Sequence, residues 1–96
     1  MISPELRYTP DTAIAPGEIL SELLEERGMT QAELARRAGL SKDHISRIVR
    51  GVAPLTYETA LCFERVLQMP ASVWIRLEAT FQELRERTAQ QSRLQA

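Results

Sequence analysis

The run from Thr30 to Gly51, TQAELARRAGLSKDHISRIVRG, constrains this chain more tightly than any other segment. Thr30 is placed to cap a helix, with Glu33 three positions on to return the bond as a capping box. Ala32, Leu34, Ala35 and Ala38 make that helix small-sided, so it can lie close to its neighbours. Gly39 stands where a left-handed residue ends a helix and redirects the chain, a conformation glycine adopts without steric cost. Leu40 plugs the corner, and Ser41 offers its hydroxyl to the free amides of a second helix. Each helix is only a few turns long and marginal alone, so a surrounding domain must hold the pair.

The second helix sorts its residues by face. With Ile45 pointing inward and about 100° between residues, Ile48 and Val49 share its side. Asp43, Arg47 and Arg50 fall opposite, His44 and Ser46 lie on the flanks, and Lys42 sits at the exposed N-terminal end. An outward-facing charged helix of this kind fits the DNA major groove, its N-terminal end aimed at base edges. Arg47 or Lys42 can pair with guanine O6 and N7, Asp43 can accept from a cytosine amino group, and Ser46 can bond either way. Gln31 at the start of the first helix is placed for a phosphate oxygen, with Arg36 or Arg37 adding charge. The expected DNA-facing set is therefore Gln31, Arg36, Ser41, Lys42, Asp43, His44, Ser46, Arg47 and Arg50.

Charge is distributed accordingly. The whole chain is nearly neutral, with 12 basic and 13 acidic residues, which argues against a generic polyanion binder. The positive excess lies within residues 30–54, where Arg36, Arg37, Lys42, Arg47 and Arg50 outnumber Glu33 and Asp43. Residues 1–29 are acidic, and residues 55–96 balance. A local footprint of this kind matters more than the sum. Its modest size gives weak non-specific affinity, on the order of 10⁻⁴ M or weaker, so useful binding requires two copies.

The remaining segments read as helices. Pro16 suits the first position of one, with Ile19, Leu20, Leu23 and Leu24 as its apolar stripe and Gly28 as its end. Thr56 can cap a fourth, with Ala60, Leu61, Phe63, Val66 and Leu67 inward. Pro70 opens a fifth, lined on one side by Val73, Trp74, Leu77, Phe81 and Leu84. No stretch alternates with a period of two for long enough to suggest a strand. A domain of 96 residues cannot readily bury two large aromatics on a terminal helix, so Trp74, Leu77, Phe81 and Leu84 are expected at a homodimer interface. The resulting two-fold would set two reading helices about 34 Å apart, one turn of DNA.

At this point the residues resemble a family. Gln31, Ala35, Gly39, Leu40, Ile45 and Ile48 occupy the positions that define the lambda-repressor-like (Xre) helix-turn-helix. Ala15-Pro16-Gly17-Glu18-Ile19-Leu20 resembles the hPGEhL opening of HigA/VapI-type antitoxins, where h is apolar. Gly51-Val52-Ala53-Pro54-Leu55-Thr56 with Glu58-Thr59-Ala60-Leu61 resembles their GxxPhTxETAL passage. Pro70 to Glu78 resembles their PxxFWLNLQ helix, with Val73 in place of Phe and Ile75-Arg76 in place of Leu-Asn. The resemblance implies an all-α, five-helix lambda-repressor-like domain over residues 14–88, preceded by an arm (1–13) and followed by a polar tail (89–96) expected to fray. It further implies an antitoxin and autorepressor that binds a double-stranded operator with inverted repeats. The implied protein partner is a HigB-like, ribosome-dependent mRNA endonuclease toxin. The acidic N-terminal third, at Glu22, Glu25 and Glu26, is the expected docking surface, since ribonuclease toxins are generally basic. The alternative is a stand-alone Xre regulator, or the N-terminal domain of a longer regulator with an ImmA/IrrE-like metallopeptidase after residue 96. An interaction scaffold that binds no DNA ranks third.

Other functional classes find little footing. Cys62, between Leu61 and Phe63, reads as a small buried thiol, and a single cysteine forms no internal disulfide. His44 is the sole histidine and has no partner at metal-ligand spacing. Ser41 and Ser46 lack a base, and Glu25-Glu26 reads as a solvated helix face rather than a catalytic pair. No catalytic residues, metal or cofactor are expected. With no basic-then-apolar leader and no long apolar run, a cytoplasmic protein without membrane contact is expected.

Overall fold

Side-chain hydroxyls decide where three of the helices begin. The computed structural model describes residues 14–95; the arm expected over residues 1–13 lies outside them. Helix α1 spans Pro16–Arg27, α2 Gln31–Ala38, α3 Lys42–Val49, α4 Tyr57–Leu67 and α5 Ala71–Gln95, and no strand occurs among the described residues. Thr30 accepts from the Glu33 amide at 3.0 Å, Ser41 from the His44 amide at 3.0 Å, and Thr56 from the Thr59 amide at 3.2 Å. Helix α1 starts instead on proline, whose missing N–H would have had no partner there. Helix α5 is capped from a distance, the Glu64 carboxylate accepting from the Ala71 amide at 2.6 Å. Helix α4 ends on Gln68 at φ 64°, the one non-glycine residue in the left-handed region among those described.

One apolar core runs through all five helices. Leu20 and Leu24 of α1 meet Leu34 of α2, Ile45 and Ile48 of α3, Phe63 and Leu67 of α4, and Trp74 of α5. The Trp74 and Phe63 rings meet edge to face, centroids 5.3 Å apart at 65°, a geometry that adds to their burial. Helix α5 packs on α4 and α1, while α3 packs on α2 and α1. Cys62 is half-buried at the margin of this core.

Two expectations are corrected here. Trp74 is fully buried within its own chain and has no surface to offer a partner, and Leu84 is buried as well. The domain accommodates Trp74 because α4 and α5 pack together around it, its indole filling the space that Phe63 closes. The indole N–H finds no acceptor among the described residues, so that burial carries the cost of an unpaired donor. Residues 89–95, expected as a frayed tail, instead continue α5 to Gln95. No proline or glycine interrupts α5, and i,i+4 partners such as Arg87 with Glu83 at 3.0 Å support its exposed length.

Candidate nucleic-acid interface

The two helices between Thr30 and Val49 form the expected helix-turn-helix. Gly39 adopts φ 73°, and the Leu40 amide closes the corner on the Ala35 carbonyl at 2.9 Å. Glu33 does not complete the capping box; its carboxylate takes Arg37 at 2.9 Å instead. An exposed arginine one turn on is simply a better partner than a backbone amide that water can reach.

Helix α3 is divided as its periodicity dictates. Ile45 and Ile48 are buried, Val49 is half-buried, and Lys42, Asp43, Arg47 and Arg50 are exposed. Arg47 lies 3.9 Å from Asp43 one turn earlier, and Arg50 donates to the Ser46 carbonyl at 3.4 Å. Ser41 uses a lone pair for capping and keeps its proton free to donate. Gln31 is half-buried at the start of α2, and Arg36 is exposed near its end. His44 departs from the outward reading. Its Nε2 sits 3.4 Å from the hydroxyl of the buried Thr59, which also bonds Thr56 at 3.2 Å. The ring therefore faces α4 and braces α3, rather than standing on the charged face.

Two residues outside the helix-turn-helix position it. Arg65 of α4 donates to the Ala38 carbonyl at 3.2 Å. That places a cation on the carboxyl end of α2, where the helix dipole favours it. Gly17 is buried where α1 crosses the end of α3: a Cβ there would run into the Ile48 and Val49 carbonyl oxygens and stand 2.8 Å from the Val49 Cα. Only a residue without a side chain lets α1 approach that closely. The signal was present as the Pro16-Gly17 pair, since glycine inside a first helical turn has no propensity reason to be there.

The other expected surfaces are spread over α1 and α5. Glu22, Glu25 and Glu26 are exposed on α1. On α5, Leu77 and Phe81 are half-buried, with the Arg85 guanidinium 5.4 Å from the Phe81 ring centroid. An apolar groove of about 290 Å³ is lined by Ile14, Val73, Arg76, Leu77, Thr80 and Leu84. Among the described residues no helix is long and apolar enough to cross a membrane.

Comparison with known proteins agrees with this geometry. A helix-turn-helix family model matches residues 20–74. An uncharacterised HTH-type transcriptional regulator, YddM, of Escherichia coli (strain K12) is 32% identical over 63 residues, covering 66% of this chain and 67% of the relative. The structure of the Pseudomonas aeruginosa antitoxin HigA with the higBA promoter superposes with a TM-score of 0.81 at 27% identity, over 86% of this chain and 91% of that one. The crystal structure of PA4674 of Pseudomonas aeruginosa in complex with its operator DNA gives 0.80 at 28% identity, over 85% of this chain and 91% of that one.

The Gly17 contact makes a direct prediction. Gly17→Ala forces α1 and α3 apart and costs about 1–3 kcal/mol, the usual range for overpacking. Chemical denaturation should show a lower midpoint; an unchanged midpoint would contradict the close crossing.

Proposed function

Because this chain belongs to the helix-turn-helix family, of the Xre type and with a likeness to HigA antitoxins, we propose that it is an operator-binding autorepressor and antitoxin. The observation that carries the reading is the exposed cationic face of α3, held by its apolar side against α1 and α2. Lys42, Asp43, Ser46 and Arg47 address base edges, Gln31 and Ser41 address phosphates, and Arg36 and Arg50 supply charge. His44 supports α3 from behind.

Helix α5 supplies the dimer surface, and its arrangement differs from the sequence expectation. With Trp74 inside, the partner copy covers Leu77 and the neighbouring groove walls Val73 and Thr80, which a monomer leaves in water at an apolar cost. A second copy also doubles a charge footprint too small to hold DNA alone.

Neutralisation of a HigB-like endonuclease rests on the resemblance, with the acidic side of α1 as the docking face. The second reading is a stand-alone regulator without a toxin, in keeping with the transcriptional-regulator name of the uncharacterised Escherichia coli relative. A short toxin gene adjacent to this one discriminates between the two.

Three outcomes follow. In a gel shift with the DNA upstream of its own gene, the chain should bind, and Arg47→Ala should weaken binding by about 1–3 kcal/mol; an unaffected shift counts against α3 as the reading helix. Analytical ultracentrifugation at micromolar concentration should show a dimer that Leu77→Arg dissociates, whereas monomer alone, with and without operator, rejects the α5 interface. Combined charge reversal at Glu22, Glu25 and Glu26 should reduce co-purification of the toxin and leave operator binding intact; full retention of the toxin would rule out the α1 surface.

A further inference from the structure

We propose that Asp43 and Arg47 form one reading unit that selects a cytosine–guanine pair, with Asp43 setting specificity by what it excludes. The inference deepens the DNA-binding reading above and rests on it. Asp43 is the only carboxylate in α3 and stands on its exposed face, its side chain 78% accessible. A bare carboxylate is a liability there. Phosphates flank the groove, and its floor presents mainly acceptors: guanine N7 and O6, adenine N7 and thymine O4. Only the amino groups of cytosine and adenine can donate to it. Over any other base edge, Asp43 is desolvated without a partner.

Arg47 decides between the two amino groups. Its terminal nitrogen is 3.9 Å from the Asp43 carboxylate, one helical turn away on the same face. Cytosine N4 presents a donor beside an apolar ring edge, and the paired guanine presents two acceptors that an arginine fork fills. A carboxylate set beside a guanidinium is the complement of that pattern. Adenine fits worse, because its N7 and the thymine O4 crowd the carboxylate with acceptors on both sides. The two residues are about 6 Å apart along the helix axis, a span that lets them address the two bases of one pair.

Of the cations on this element, Arg47 is the one paired with Asp43 among the described residues. Arg37 is held by Glu33 at 2.9 Å, and Arg50 turns back to the Ser46 carbonyl. In the free chain the Asp43–Arg47 pair is exposed on both sides, and such pairs are weak. It reopens at little cost when base edges arrive.

Selection of bound duplexes from a randomised library, with the full chain, tests this. The unaltered protein should enrich a cytosine–guanine pair at one fixed position of each half-site. Asp43→Ala should lose that enrichment by roughly tenfold, the size of one good base contact, and bind the disfavoured duplexes more tightly than the unaltered chain does. Asp43→Asn, which keeps shape and removes charge, should move the preference toward adenine, whose N6 and N7 an amide matches. Asp43 is exposed, and circular dichroism should show both variants folded. Retained cytosine–guanine enrichment in Asp43→Ala and Asp43→Asn, or an equal change on every duplex, overturns the proposal while leaving DNA binding in place. Failure of the unaltered chain to bind any duplex overturns both.

Discussion

The close crossing of α1 over the end of α3 is the contact on which the arrangement turns. Gly17 lets the backbone of α1 rest on the Ile48 and Val49 carbonyls, which fixes how far α3 can lean. Because α1 also packs on α5, the attitude of α3 is referred to the Trp74–Phe63 centre of the core. The short α3 thus borrows its rigidity, since eight residues alone would not stay helical in water. Arg65 braces the carboxyl end of α2, and His44 faces Thr59 of α4, so neighbours meet the helix-turn-helix from both sides.

This bracing has a chemical consequence. With Ile45 and Ile48 committed to the core, Lys42, Asp43, Arg47 and Arg50 point outward together, while His44 turns toward α4. Pre-orientation lowers the entropy lost when those side chains meet a duplex. The mixture of Asp43 with Lys42, Arg47 and Arg50 also separates attraction from discrimination. On the proposed reading, cations draw the chain to any phosphate backbone, while the carboxylate penalises base edges that cannot donate to it.

What could be read from the sequence was what is local. Thr30, Ser41 and Thr56 cap their helices within three residues, and the Ile45–Ile48–Val49 stripe follows from helical periodicity alone. Gly39 likewise announces its turn. What escaped reading was set by distance along the chain. Arg65 reaches Ala38 across 27 positions, and Glu64 caps α5 from seven residues upstream. Trp74 was expected outside on a size argument, yet α4 and α5 close around it. His44 has the right angular position for the flank of α3, and only the placement of Thr59 decides which way its ring turns. The length of α5 beyond residue 88 depends on a succession of weak polar pairs rather than on an apolar stripe.

The central claim is that the outward side of α3 is where a duplex is read, and backbone amide chemical shifts during titration with the upstream DNA measure that most directly. Resonances from Lys42 to Gly51 should move most, with smaller changes at Gln31 and none along Glu22–Glu26. Shifts concentrated on α1 or α5, with the α3 amides unmoved, would contradict it.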